Sequence, residues 1–152
     1  MSSVQKKISF RPEDCIQCHG CQMACSMWRN TKAGIQFREI IPVWEPDDTL
    51  GVRLKTRSRA CMHCENPLCV PACPAGAIHK RPQDGIVIVD EKLCSGCGAC
   101  VEACPFHIPQ IGEDKKMKKC DLCYSQDTTQ GGGAPPCVRA CPTGALVYEI
   151  QS

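Results

Sequence analysis

Residues 94–104 read CSGCGACVEAC, a run of four cysteines separated by two, two and three residues. The same spacing occurs in CIQCHGCQMAC at 15–25. Two more groups vary it, one beginning CMHCENPLC at residue 61 and one beginning CDLC at residue 120. The four groups contain all sixteen cysteines of the 152-residue chain: Cys15, Cys18, Cys21 and Cys25; Cys61, Cys64, Cys69 and Cys73; Cys94, Cys97, Cys100 and Cys104; Cys120, Cys123, Cys137 and Cys141.

This spacing is that of ligands to iron-sulfur clusters. Three closely spaced thiolates bind one cubane, and the fourth cysteine of the run reaches a neighbouring one. Three of the groups end in Cys-Pro, with Pro74, Pro105 and Pro142, and proline prevents a helix from continuing past the ligand. We therefore expect four [4Fe-4S] clusters, with all sixteen cysteines as metal ligands.

Two other uses of cysteine fit the sequence less well. Disulfides need an oxidising compartment, and the first residues, MSSVQKKISF, do not resemble a secretory signal. Structural zinc sites generally combine two C-x2-C pairs separated by a loop, not a triplet. The sequence also has no glycine-rich phosphate cradle and no nucleophile with a plausible base. We predict an electron-transfer protein without catalytic residues of its own.

The composition is poor in large apolar residues. Leu, Ile, Val and Phe number 29 of 152, or 19%, a proportion typical of disordered chains. The net charge of +2 is too small for that class of protein. Ligand bonds that form only in the folded chain contribute directly to folding, so clusters can replace an apolar core. We expect the metal-free chain to be largely unfolded.

The charge argues against nucleic acid as a partner. An oxidised cubane with four thiolates carries about −2, so four clusters make the loaded protein acidic. No apolar run approaches the roughly 20 residues that span a membrane, so no direct membrane insertion is expected. The lysines near the last cysteine group are expected to form a solvated or cluster-facing segment rather than a docking patch; they are Lys115, Lys116, Lys118 and Lys119.

A short repeat recurs in CVPACPAGAI (69–78), CVEACPFHIP (100–109) and CVRACPTGAL (137–146), with CQMACSMWRN (21–30) as a diverged copy. Residues 61–104 join two copies through a turn at 82–85 and a β-branched strand at 86–89, and they resemble a bacterial two-cluster ferredoxin. That resemblance implies two crossed ligand sets: Cys61, Cys64, Cys69 and Cys104; Cys73, Cys94, Cys97 and Cys100.

The first and last cysteine groups are then left to pair with each other. GALVYEI (144–150) corresponds to GAIHKRP (76–82), and KKISFRPEDC (6–15) corresponds to GIVIVDEKLC (85–94), so the terminal strands should lie side by side. The ligand sets expected by analogy are Cys15, Cys18, Cys21 and Cys141; Cys25, Cys120, Cys123 and Cys137. The fold class is α+β, with two ferredoxin-like two-cluster domains. The second domain, 1–30 plus 105–152, is split and circularly permuted around the first, 61–104.

Residues 31–60 contain no cysteine and form an expected β-hairpin insertion. IQFREIIPVW (35–44) and TLGVRLKTRS (49–58) alternate in part and flank the turn-like EPDD, and the hairpin adds surface for a partner. GGGAPP (131–136) predicts an irregular loop.

The remaining candidate residues are histidines and tryptophans. His19, His63 and His107 lie in or next to cysteine motifs and are expected near the ligands or at the surface rather than on iron, because the cysteines already supply every ligand. His79 is expected to be exposed. Trp28 and Trp44 are expected to be packing or interface residues rather than electron relays.

The four groups in this order, with the phrases CMHCENPLC, CPAGAI and KKCDLC, resemble the four-cluster electron-transfer subunits of molybdenum and tungsten oxidoreductases. That family includes the small subunits of dimethyl sulfoxide reductases, formate dehydrogenases and tungsten aldehyde oxidoreductases. The resemblance extends from about Ile8 to Ile150, and the member suggested within this family is the polyferredoxin-like subunit of a bacterial tungsten aldehyde oxidoreductase.

The resemblance implies a subunit that relays electrons between a molybdenum- or tungsten-pterin catalytic subunit and a flavin, quinone or carrier partner. The brevity of the sequence, together with the absence of an export signal and of a membrane anchor, favours a cytoplasmic complex. The alternative is a freely diffusing polyferredoxin that serves hydrogenase, carbon monoxide dehydrogenase or other enzymes. End-to-end self-association is a further expectation, because four clusters in a row would offer two electron ports.

Overall fold

A computed structural model describes residues 4–125 and 133–151 of the chain. This part is α+β, with short helices and four two-stranded antiparallel sheets. The strands are β1 (Gln5–Phe10), β2 (Arg38–Asp47), β3 (Gly51–Ala60), β4 (Ile78–Lys80), β5 (Val87–Val89), β6 (Gln110–Ile111), β7 (Met117–Lys118) and β8 (Leu146–Gln151). The helices are α1 (Gly20–Arg29), α2 (Cys69–Ala72), α3 (Ala99–Ala103) and α4 (Pro136–Arg139), with a 3-10 turn at Pro12–Asp14.

The two ends of the chain meet in one sheet. β1 pairs antiparallel with β8, so that Gln5 lies opposite Gln151 and Phe10 opposite Leu146. Ile8 and Phe10 pack against an apolar group that includes Leu146 and several cysteines. The prediction that the terminal strands lie side by side is confirmed.

β2 and β3 form the expected hairpin, with bounds that differ from the sequence prediction. The strands continue through most of EPDD, with Asp47 opposite Gly51. The turn follows because the Asp47 carboxylate accepts the backbone N–H groups of Thr49 and Leu50, both at 2.9 Å. Lys55 pairs with Glu45 at 2.6 Å across the strands. This pairing helps to extend the ladder beyond the predicted turn.

β4 and β5 form the expected short hairpin in the middle of the chain, with Ile78 opposite Val89. The side chain of Asp84 organises its turn by accepting hydrogen bonds from the Ile86 N–H and the Arg81 Nε. The Lys6 N–H donates to the Asp84 carbonyl at 3.0 Å. This hydrogen bond connects the turn to strand β1.

A small sheet of β6 and β7 was not expected from the sequence. It lies against the loop of the third cysteine group, where Gly96 adopts a φ of +74°. A Cβ atom at Gly96 would lie 2.2 Å from the Lys115 carbonyl oxygen. Only glycine therefore allows this approach, which brings the lysine-rich segment against the cysteines.

In the described part of the chain, the interior consists of three small apolar groups, each containing cysteines. Six of the sixteen apolar residues that are buried there are cysteines: Cys21, Cys25, Cys100, Cys120, Cys123 and Cys137. Helix α1 packs on α4, and α2 packs on α3. The predicted loop at 131–136 falls partly outside the described residues. No helix in the described part of the chain has the length and apolar character needed to cross a bilayer.

Candidate iron-sulfur sites

Three clefts in the structure are each lined by four cysteines. Their linings include Cys15, Cys18, Cys21 and Cys141; Cys61, Cys64, Cys69 and Cys104; Cys73, Cys94, Cys97 and Cys100. The first and the third contain about 310 and 300 Å³ of free space, including space open to solvent. Each cleft thus takes three cysteines from one sequence group and the fourth from another.

The other four cysteines lie together in the interior. Cys25, Cys120, Cys123 and Cys137 are all buried. Burial raises the pKa of Cys25 and of Cys123 to about 12, and the negative charge of Cys120 adds to the effect at both. Bound iron would reverse this preference for the neutral thiol, because a coordinating thiol is deprotonated.

The exposure of the cysteines differs between the sites. Cys18 and Cys97 are exposed, whereas the other fourteen are buried or half-buried. These two residues belong to different clefts. All four cysteines of the interior group are buried, which is true of no other group, so its surroundings are the driest of the four.

The helices explain why neighbouring cysteines enter different clefts. Cys69 begins α2 and Cys73 follows its last residue, and the two line different clefts. Cys100 lies in α3 and Cys104 caps it, and these two cysteines also line different clefts. Each short helix therefore connects two sites.

Helix α1 connects two sites over a longer element. Cys21 and Cys25 are four residues apart and lie on one buried face, one turn apart. Cys21 lines a cleft, whereas Cys25 lies near Cys120, Cys123 and Cys137. The helix ends at Asn30, which adopts a left-handed conformation and donates its N–H to the Met27 and Ser26 carbonyls.

Each Cys-x-x-Cys loop makes the same turn. The residue before the second cysteine has a positive φ in all four groups: Gln17 at 55°, His63 at 47°, Gly96 at 74° and Leu122 at 55°. Left-handed residues in such turns gather successive backbone N–H groups into a concavity that favours an anion, as at many iron-sulfur sites. The repetition of a conformation that non-glycine residues rarely adopt indicates a shared purpose of the four loops.

Backbone N–H groups also donate directly to cysteine sulfur. The Ala77 N–H lies 3.3 Å from Cys73 Sγ, and the Met117 N–H lies 3.4 Å from Cys94 Sγ. The Leu122 N–H lies 3.4 Å from Cys120 Sγ. Such donors stabilise charge on sulfur and are among the groups that adjust cluster potentials.

Two buried cations lie among the cysteines. Arg38 and Lys119 are 5% and 6% exposed. Burial disfavours the charged guanidinium, but the charges of Cys137 and Cys120 and a hydrogen bond to Cys137 together raise the pKa of Arg38. Lys119 Nζ donates to the Cys120 carbonyl at 2.9 Å and to the Val87 carbonyl.

The structure places the predicted histidines in two environments. His63 is buried, and its Nδ1 accepts the Val87 N–H at 3.0 Å. Burial, together with the charges of Lys119 and Arg38, lowers the pKa of His63 to about 2, so the ring is neutral. His19, His79 and His107 are exposed, as expected for His79.

Trp28 and Trp44 are exposed as well, which leaves them available for an interface rather than for the core.

The lysine-rich segment faces the cysteines in part. Lys116 Nζ donates to the Cys94 carbonyl at 2.6 Å, and Lys119 is buried as described. Lys118 instead pairs with Glu91 and Asp114, and Lys115 is exposed.

The sequence did not single out Arg38; its position in alternation with buried Ile40 along β2 is the signal that marks its inward orientation.

The donor chemistry fits an anionic cluster with four thiolate ligands at each site. Sixteen thiols in four groups of four, amide donors at sulfur and buried cations among the thiols all favour bound negative charge. No group of His, Cys, Asp or Glu in residues 4–125 and 133–151 is arranged to hold a single metal ion. The fold and the sites define a ferredoxin-like iron-sulfur protein.

Comparison with known proteins agrees with this class. Residues 52–150 match the family described as 4Fe-4S dicluster domain, and residues 12–28 match the 4Fe-4S binding domain. The chain belongs to the 4Fe-4S dicluster family. The prediction of [4Fe-4S] clusters as the cofactor is confirmed.

The relatives of the chain are components of oxidoreductases. One component of the anaerobic dimethyl sulfoxide reductase of Escherichia coli (strain K12) is 41% identical over 142 residues, which are 88% of this chain and 68% of that protein. One component of the sulfite dehydrogenase of Allochromatium vinosum is 35% identical, over 88% of this chain and 64% of that protein. The iron-sulfur subunit of the nitrate-inducible formate dehydrogenase of Escherichia coli (strain K12) is 35% identical, over 90% of this chain and 51% of its own length. The predicted resemblance to such electron-transfer subunits is confirmed.

Proposed function

We propose that this chain is a non-catalytic subunit that carries four [4Fe-4S] clusters and relays single electrons between a molybdenum- or tungsten-pterin catalytic subunit and a flavin, quinone or carrier partner. The observation that supports the proposal is that three clefts are each lined by four cysteines, while the other four cysteines are all buried. When bound, each [4Fe-4S] cluster accepts and returns one electron.

The proposed ligand sets are crossed. They are Cys15, Cys18, Cys21 and Cys141; Cys25, Cys120, Cys123 and Cys137; Cys61, Cys64, Cys69 and Cys104; Cys73, Cys94, Cys97 and Cys100. The cleft linings support three of these sets, and the shared burial and mutual electrostatic effects of the remaining cysteines support the fourth. Each set fills the four ligand positions of a cubane.

We also propose two ferredoxin-like domains, 61–104 and the split domain 1–30 plus 105–152. The sheet of β4 with β5 and the packing of α2 on α3 support the first. The sheet of β1 with β8 and the packing of α1 on α4 support the second. Tying neighbouring sites to shared short helices would keep their separation short, as electron transfer requires.

The hairpin of β2 and β3 is the proposed contact for a protein partner. Trp44 lies opposite Leu54, and Pro46 lies opposite Val52, so these four side chains share one face of the two-stranded sheet. Trp44 is 68% exposed and Val52 54%. An exposed apolar face of this kind indicates a site of protein interaction. The relatives named above favour an assembled subunit over a freely diffusing carrier.

The test is native mass spectrometry of anaerobically purified protein from its own host. We expect about sixteen irons, as four cubanes require, together with a large chain that contains molybdenum or tungsten. Recovery of the same iron content on a lone chain would favour the diffusible carrier. Zinc in place of iron would contradict the proposal. The identity of the metal in the partner would also decide between the tungsten aldehyde oxidoreductase suggested by the sequence and a molybdenum enzyme.

A further inference from the structure

Arg38 and Lys119 are buried charges without carboxylate partners. In the described residues, neither forms an ion pair with Asp or Glu. A buried charge is costly unless an opposite charge compensates it. The acidic side chains whose charges interact with these two cations are cysteines, so the compensating negative charge must come from the cysteine sites.

Arg38 borders two of the proposed sites. It begins β2, and its guanidinium donates to the Ser58 hydroxyl at 2.6 Å, while its buried Nε has no partner among the described atoms. Ile40, on the same buried face of β2 as Arg38, lies in one apolar group with Cys21 and Cys137. The charge of Arg38 accordingly acts on Cys21, which belongs to the site of Cys15 and Cys18. The same guanidinium acts on three cysteines of the interior site, namely Cys25, Cys120 and Cys137.

Lys119 borders the interior site and a different neighbouring site. Its Nζ donates to the carbonyl of Cys120, a member of the interior site. Its side chain also lines the cleft of Cys61, Cys64, Cys69 and Cys104. Its charge acts on Cys69 as well as on Cys120. The interior site is therefore flanked by one uncompensated cation at each of its two boundaries.

Other cations near the sites differ from Arg38 and Lys119, because they either pair with a carboxylate or border only one site. Arg29 lies near Cys123, but it pairs with Asp121 at 3.1 Å. Lys118 pairs with both Glu91 and Asp114. Lys116 is half-buried and donates to the carbonyl of Cys94, so it borders the site of Cys73 and Cys94. The boundary positions thus belong to Arg38 and Lys119.

We propose that Arg38 and Lys119 are positioning residues that set the order of reduction potentials, each raising the potential of the two sites it borders. The inference rests on the proposed ligand sets. Reduction adds one negative charge to a site, and a nearby buried cation stabilises the reduced form more than the oxidised form. Burial alone disfavours that extra charge. The two cations offset this cost of burial at the interior site. The interior site can therefore accept electrons from the two sites that adjoin it.

The experiment is a redox titration of the anaerobically purified holoprotein, followed by electron paramagnetic resonance. The variants are Arg38→Gln, Lys119→Met and the double variant. Arg57→Gln and Lys32→Met are matched controls that remove the same charges from side chains that are 70% and 74% exposed. Iron content and cluster type are measured on every sample before titration.

The expected pattern of potential shifts can be recognised without assigning each electron paramagnetic resonance signal to a particular cluster. Arg38→Gln lowers two of the four potentials, and Lys119→Met lowers two. One potential is lowered by both variants, one is lowered by neither, and the double variant lowers the shared potential most. Arg38→Lys and Lys119→Arg, which keep the charge, restore the wild-type values, and the controls leave all four potentials in place.

Several results would overturn the inference. One is a wild-type pattern of potentials in both variants, and another is a uniform shift of all four potentials in the variants and controls alike. If Arg38→Gln fails to load iron while Arg38→Lys loads fully, the charge requirement is supported. If both fail to load and Lys119→Met moves no potential, the inference is wrong. A wild-type protein without four [4Fe-4S] signals would instead refute the proposed function, so the two failures are distinguishable.

Discussion

The middle of the chain and its two ends build the same arrangement from very different stretches of sequence. In the middle, β4 and β5 are three residues each, and a turn joins them directly. At the ends, β1 and β8 are six residues each, and nearly the whole chain lies between them. The entropy cost of closing a loop rises by about 0.6 kcal/mol with each doubling of its length. The longer terminal ladder provides more pairing to offset that cost.

The two regions also differ in burial. The terminal region contains the interior site, whose four cysteines are all buried. The middle region has Cys100 buried, Cys97 exposed and its other cysteines half-buried. The repeated cysteine motif thus keeps its local geometry in both regions while the burial of its cysteines changes. The two regions are expected to differ in how far they depend on iron and on each other.

Removal of iron should have the largest effect. Among the described residues, six of the sixteen buried apolar residues are cysteines, so much of the interior is organised around the proposed ligands. Because ligand bonds contribute directly to folding, the iron-free chain should lose its cooperative thermal transition and most of its far-ultraviolet circular dichroism. A cooperative transition in chelator-treated protein, verified as iron-free, would contradict this expectation.

Serine substitution should separate a buried ligand from an exposed one. Cys137→Ser should lose the interior cluster, about four irons, and lower Tm, because Cys137 also packs against Cys21, Ile40 and Leu146. Cys97→Ser should have a smaller effect, since Cys97 is exposed and water can solvate the hydroxyl. Iron analysis and calorimetry measure both quantities. Equal losses from the two variants would show that burial does not distinguish the sites.

Two equivalent core positions allow a matched test of independence between the regions. Ile78 and Leu146 follow Gly-Ala in corresponding repeats and are 4% and 3% exposed. Replacement of either by Ala should cost about 2–5 kcal/mol of unfolding free energy. Limited proteolysis should then cleave near β1 and β8 in Leu146→Ala but near β4 and β5 in Ile78→Ala. Identical cleavage maps would show that the regions unfold as one unit.

Substitution on the hairpin should have the smallest effect on the chain itself. Trp44→Ser changes an exposed side chain, so the free energy of unfolding should stay within about 0.5 kcal/mol of wild type. Recovery of the catalytic partner in co-purification should fall, because the apolar face loses its largest side chain. Lys55→Ser is the control on the opposite face. Unchanged recovery with Trp44→Ser, or equal loss with both variants, would exclude this face as the contact.

The sequence predicted the structure best where the spacing of residues along the chain is enough to indicate a contact. The cysteine groups, the repeated Cys-Pro and the corresponding terminal strands predicted the pairing of β1 with β8 and the hairpin of β4 with β5. Family matches then confirmed the cofactor class. The crossed ligand sets and the count of four clusters stay predictions; the cleft linings support three of the sets.

Other features depend on contacts between distant residues. The sheet of β6 and β7 has only two residues in each strand, too few for an alternation pattern to be visible. The length of β2 and β3 depends on cross-strand pairs such as Glu45 with Lys55. The burial of Arg38 and Lys119 depends on where the cysteine groups meet in space. In a charged residue type, burial is the exception and the local sequence seldom indicates it.

The most direct test of the central claim is a crystal structure of the anaerobic holoprotein with diffraction recorded at the iron absorption edge. We predict four separate peaks in the anomalous map, each resolving into four irons and each contacted by one of the crossed cysteine sets. A cluster bound by the four cysteines of a single sequence group, such as Cys94, Cys97, Cys100 and Cys104, would contradict the account, as would fewer than four clusters in fully loaded protein.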